Sequence, residues 1–294
     1  MSNIENQPPA TSAARTKDLI TAVLLIGFTA AVFWPAAHWI ATQTFAKEQL
    51  KQSFYVLVLA GAWIAWENRS KLSLHLRLGN AALAWIIASY LLAVGAVFMH
   101  QPLLVLAGMI AAIAGALHFA LGPVAFKRAA PLLAVFGMFL LIVLALPVLD
   151  WPLRKAAGLE AGRLLVAIGF KASLVLDGGT SGDLLLRVAG RTFRVAPECN
   201  GFGIMSSALL LGLLLLLYRR AAWWKHLVYL PACVIVAFVF NLLRIFAIVL
   251  LAPSFPNHYT AMHETAGIIA LYSGLGVVWW LTGREQRPRS KPAG

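Results

Sequence analysis

Residues 227–251 read LVYLPACVIVAFVFNLLRIFAIVLL, an apolar run of 25 residues with a single charged side chain, Arg244. At about 1.5 Å per residue such a helix is roughly 37 Å long, enough to cross a hydrocarbon core of about 30 Å. Seven further apolar runs flank it, at about 19–40, 52–66, 81–98, 103–121, 131–149, 200–218 and 263–282, each bounded by charged, Pro or Gly-containing loops. The expected fold is therefore all-α and polytopic, with about eight transmembrane helices. The run at 52–66 is the shortest and needs Lys51 and Glu67 to snorkel to the two interfaces.

Composition agrees: 61% of residues are hydrophobic, 12% are charged, and the mean hydropathy is +0.80. A soluble domain carries about a quarter charged residues. The formal charge of +13 is spread in short clusters between apolar runs and forms no stripe, so a nucleic-acid partner is not expected. Membrane orientation accounts for the clusters. Arg15 and Lys17, Arg69 to Arg77, Lys127 and Arg128, Arg219 to Lys225, and Arg284 to Lys291 all fall on one side of an eight-span topology, and Lys47 and Lys51 on the other. Positive residues in short loops stay cytoplasmic, which puts both termini inside a cell's inner (plasma) membrane.

Five segments follow from this reading: a disordered cytoplasmic tail (1–18), transmembrane helices one to five (19–149), an external cap (150–198), helices six to eight (199–282) and a second cytoplasmic tail (283–294). The run at 19–40 is too long for a signal-peptide core and reads as an uncleaved first span, with Pro35 kinking its outer end. The cap is expected to be a small α+β unit between helices five and six. Apolar and basic residues interleave from Trp151 to about Leu176 as in an interfacial amphipathic helix. A turn at residues 177–182 follows, and the stretches 184–188 and 191–195 flank Ala189-Gly190 as a hairpin.

The last three spans carry the candidate chemistry. Cys199 stands where the chain re-enters the membrane, near a helix N-terminus whose partial positive charge favours the nucleophilic thiolate. Gly201 and Gly203 leave room for a peptide or a second backbone. Arg244 lies seven residues before Leu251, about 10 Å below the outer boundary, where a guanidinium needs an anion, a wet cavity or a substrate unless it snorkels outward. Asn241 shares its face one turn below. His263 opens the eighth span beside Glu264, and Gly267 permits a neighbouring helix to come close. Both Glu198 and Glu264 stay outside the catalytic set, because adjacent helical residues point in different directions. Cys199 and Cys233 are the only cysteines and form no disulfide framework, and Cys233 reads as packing. The remaining histidines lack ligand spacing, so neither a metal nor a cofactor is expected.

Pro197-Glu198-Cys199-Asn200-Gly201, Asn241-Leu242-Leu243-Arg244, and His263 with Gly267, in that order on three successive spans, resemble the exosortase/archaeosortase family of membrane transpeptidases. Asn200 stands where many members have Ser or Thr. The resemblance implies that Cys199 is the nucleophile, Arg244 the electrostatic stabiliser and His263 the acid/base; Asn200, Gly201 and Asn241 beside them are expected to be substrate-binding or supporting residues. It further implies a cysteine endopeptidase/transpeptidase, active on the external or periplasmic side. Its partners would be exported proteins bearing a C-terminal sorting signal, with a membrane lipid or glycan as acceptor; the bacterial branch is associated with Pro-Glu-Pro signals. The alternative from another class is a transporter or channel in which Arg244 binds an anionic solute, but no paired, interrupted midplane helices mark it.

Overall fold

The computed structural model describes residues 12–67, 69–71, 76, 78–176, 184–195, 197–255 and 258–283. In chain order they form α1 (Ser12–Ala46), α2 (Glu48–Glu67), α3 (Asn80–Met99), α4 (Pro102–Ala167), β1 (Ala172–Leu176), β2 (Leu184–Val188), β3 (Arg191–Arg194), α5 (Phe202–Tyr218), α6 (Trp223–Leu251) and α7 (Tyr259–Gly283). Short 3-10 turns occur at Arg69–Lys71 and Pro197–Cys199. Among the described residues, five helices are long and apolar enough to cross a membrane: Leu19–Ala46 of α1, α3, α4, α6, and Thr260–Gly283 of α7. The protein is a mostly helical, multi-pass membrane protein. Among the described residues, the eight apolar runs expected as crossings fall on seven helices: 103–121 and 131–149 share α4, α5 is apolar but only 17 residues long, and α2 is not among the five.

Gly122, at φ 70° and ψ 175°, divides α4 into arms of residues 102–121 and 123–167. A residue with a Cβ disfavours positive φ, and Pro123 immediately after it is pre-organised for a first helical position. The second arm runs through Pro131, Pro147 and Pro152 to Ala167. At about 1.5 Å per residue it is roughly 68 Å long, so it far exceeds the hydrocarbon thickness. The separate interfacial helix expected from Trp151 to Leu176 is thus a continuation of α4 that ends at Ala167, and Ala172–Leu176 is a strand. The expected turn at 177–182 lies outside the described residues.

The chain divides into two compact units. In the first, Met1–Ala41 with Trp63–Gly137, α1 begins at Ser12, upstream of the Leu19 boundary expected for the tail. Ala13 and Ala14 favour propagation of a helix already nucleated by the apolar run. Gly108 lets Phe33 approach, and Gly115 does the same for Ile86, so small residues set the helix contacts.

The second unit, Thr42–Ala62 with Met138–Gly294, holds the candidate chemistry. Its antiparallel sheet has the order β1-β2-β3, with Leu186 opposite Leu174 on one side and Phe193 on the other. Along β2, Leu184, Leu186 and Val188 are buried while Leu185 and Arg187 are not, the period-two pattern of a strand with one covered face. That face packs on Ala157, Ala161 and Leu165 of α4 and on Ile245 and Val249 of α6. The same cluster includes Cys199. Helix α5, apolar around most of its circumference, is correspondingly buried among its neighbours.

Candidate active site

The turn that carries Cys199 is fixed by side-chain amides from three directions. Gln49 of α2 donates to the Pro197 carbonyl, and Asn241 of α6 donates through Nδ2 to the Cys199 carbonyl at 3.0 Å. Asn200 accepts the Phe202 N–H on Oδ1 at 2.7 Å, satisfying a backbone donor at the start of α5. Its Nδ2 donates to Asp150 Oδ1 of α4 at 2.6 Å, and Asp150 also accepts from Arg154. Asn200 and Asn241 are fully buried, so these bonds replace water the groups cannot reach.

Gly201 closes the turn in the left-handed region, φ 79° and ψ 0°, directly before α5. A Cβ there would stand 2.7 Å from the Asn241 side chain. The position thus requires glycine twice over, for its backbone angle and for the space that Asn241 fills. Cys199 itself lies three residues before the first residue of α5, in the 3-10 turn and not within the helix.

His263 comes from the first turns of α7 and Arg244 from the interior of α6. His263 Nε2 lies 3.2 Å from Cys199 Sγ and 3.3 Å from Arg244 Nη2. Arg244 as a whole is only 9% exposed, which excludes the snorkelling arrangement considered for it. Gly267, one turn after His263, makes the room: a Cβ there would stand 3.2 Å from Arg244 Nη2 and 3.3 Å from Cζ. The close approach that this glycine permits is thus to a side chain of the neighbouring helix.

Arg244 and His263 line a polar cavity of about 500 Å³, together with Gln52, Gly201, Gly203 and Glu264. Cys199, 8% exposed, instead lines a small notch of about 20 Å³ under the sheet, with Leu186, Phe193 and Ile248. The thiol therefore stands at the boundary between an apolar floor and a polar chamber, with the imidazole reaching it from the chamber side. A thiol, a nitrogen base in contact with it and a buried cation touching that base form a set suited to nucleophilic attack on a carbonyl.

All six residues singled out from the sequence, Cys199, Asn200, Gly201, Asn241, Arg244 and His263, meet in this one region. Sequence reasoning missed Gln49, Asp150 and Arg154, which hold the turn. Asp150 offered a signal, as one of only 11 acidic residues in the chain and placed at the end of an apolar run. Gln49 offered none, because an uncharged amide beside a short apolar segment is ordinary.

A family model described as transmembrane exosortase matches residues 43–280, a span that contains every residue of this cluster. No curated protein and no solved structure matches the chain. On the extent of that match, the protein belongs to the transmembrane exosortase family.

Proposed function

We propose that the protein is a membrane-embedded cysteine transpeptidase that cleaves the C-terminal sorting signal of exported proteins and transfers them to a cell-surface acceptor. The observation that carries this reading is the contact of Cys199 Sγ with His263 Nε2 at 3.2 Å, with Arg244 Nη2 3.3 Å from the same nitrogen. An unprotonated Nε2 accepts the thiol proton, leaving a thiolate and an imidazolium. The sulfur attacks the scissile carbonyl carbon, and the Arg244 guanidinium stabilises the oxyanion that develops. Collapse breaks the C–N bond as His263 returns its proton to the departing amine, and a thioester remains on Cys199. An acceptor amine or hydroxyl then gives its proton to His263 as it attacks the thioester carbon. The sulfur leaves and is reprotonated. If water is the acceptor, the same residues perform hydrolysis.

Eight crossings, with the two arms of α4 counted separately, α2 and α5 completing the set and both termini cytoplasmic, give the site an external or periplasmic position in the inner membrane. The distribution of Lys and Arg supports that orientation. By family resemblance the substrate's signal is a short Pro-containing motif, an apolar helix and a basic tail.

The test is co-expression with a tagged precursor ending in a Pro-Glu-Pro motif, an apolar helix of about 20 residues and a basic tail. Wild type should convert it to a shorter product, while Cys199→Ala, Arg244→Ala and His263→Ala should accumulate precursor. Wild-type processing rates in all three variants would overturn the assignment.

A further inference from the structure

Arg244 borders two cavities of opposite character. On one side is the polar chamber it shares with His263, and on the other is an apolar groove of about 570 Å³ between α6 and α7. We infer that this α6/α7 groove is the docking site for the apolar helix of the precursor, on the leaving-group side of the scissile bond. The inference rests on the transfer reading of the site and adds to it the place where the substrate is held.

The groove has the form of a helix seat. Its walls carry large apolar side chains exposed from each helix, Leu243 of α6 and Ile269 of α7, 52% and 60% exposed. Its floor is made of small residues, including Ala247, Ala266 and Ala270. Small residues between flanking large ones let two helices in lipid approach closely, and van der Waals packing of that kind is the chief attraction left where no hydrophobic effect operates. On α7 the lining runs from Ala261 to Ser273. That is roughly 18 Å of helix axis at about 1.5 Å per residue, somewhat more than half of a hydrocarbon core of about 30 Å.

Continuity with the site selects the occupant. The groove passes beside His263, the residue that would protonate the leaving amine, since Met262 and Thr265 on either side of it in sequence line the groove, and Arg244 belongs to both spaces. A chain that presents a peptide bond to Cys199 in the chamber and passes Arg244 enters an apolar channel between two candidate membrane spans. There its backbone must satisfy its own hydrogen bonds, so the segment is helical. The substrate matching this polar-to-apolar sequence is a polypeptide whose apolar helix begins just after the cleaved bond. A lipid chain would match only the apolar half.

The test places a photo-crosslinking amino acid at Leu243, at Ile269 and, as controls, at Leu91 and Val94 of α3, which are also exposed. The tagged precursor described above is co-expressed with wild type and, to hold the intact form, with Cys199→Ala. Leu243 and Ile269 should yield precursor adducts about tenfold above the controls, the occupancy ratio of a preference of about 1.4 kcal/mol. Ala270→Trp, which fills the groove, should remove those adducts. Equal labelling at all four positions, or adducts to lipid alone at Leu243 and Ile269, would overturn the docking site even if wild type processes the precursor. Groove adducts with a precursor that wild type never cleaves would leave the docking site standing and sink the transfer reading.

Discussion

Replacing Gly267 by alanine tests whether the position of the Arg244 guanidinium, and not merely its charge, sustains the reaction. The new Cβ would stand 3.2 Å from Nη2, 3.3 Å from Cζ and 3.4 Å from Nε. Contact with three atoms of one plane gives in-plane rotation no escape, so the guanidinium must move off by a few tenths of an ångström. It is buried, and its Nη2 sits 3.3 Å from His263 Nε2, so that displacement changes the geometry of the pair directly. Loss of a whole oxyanion donor costs about 2.7–4 kcal/mol, and a 1 Å misplacement about a hundredfold in rate. A shift of a few tenths should therefore slow processing by about tenfold, or ~1.4 kcal/mol. Stability should respond differently, because Gly to Ala within a helix gains up to about 1 kcal/mol of propensity and offsets the local strain. Processing rate and Tm of the purified protein in detergent are measured together. A tenfold slower enzyme with a Tm at or near that of wild type is expected. An unchanged rate would refute the view that Arg244 acts from this position.

Three other single substitutions and one double variant probe the turn that carries the thiol. Asn241→Ala removes the hydrogen bond that a fully buried amide gives to the Cys199 carbonyl; thermal unfolding should show a loss of about 0.5–1.5 kcal/mol, with slower processing. Gly201→Ala meets both a left-handed backbone and the Asn241 side chain at 2.7 Å; precursor should accumulate and Tm fall, and a fully active variant would contradict the described turn. Asp150→Ala frees Asn200 Nδ2 and isolates Arg154, lowering both Tm and processing. Adding Arg154→Ala should recover part of the Tm by removing the uncompensated cation, yet leave processing low, because the Asn200 anchor is still missing. Recovery of both would show that Asp150 serves the fold alone.

The apolar runs were legible in the sequence because hydrophobic length is a local property. Residues 227–251 fall within α6 and 81–98 within α3 for that reason. The hairpin over β2 and β3 was legible from alternation and the Ala189-Gly190 turn. The boundaries between span and cap were not. A span ending at residue 149 and a separate interfacial helix from Trp151 were expected, whereas helix α4 continues through both, since Pro152 within an established helix costs less than abandoning the contacts of Ala157, Ala161 and Leu165 with the sheet. The strand Ala172–Leu176 was hidden inside an amphipathic pattern because its partner, β2, begins only at Leu184.

At the candidate site, residue chemistry alone picked out Cys199, Arg244 and His263, since a cation inside an apolar run and a thiol at its edge stand out locally. Only the tertiary structure decided which atoms meet: Nε2 of His263 between sulfur and guanidinium, and Gly267 making space for a side chain. It alone supplied the buried amide of Gln49 and the carboxylate of Asp150 that hold the Cys199 turn. The physical reason is distance along the chain. Composition and periodicity report what one segment prefers, whereas a hydrogen bond spanning 50 or 148 residues depends on how separate helices pack.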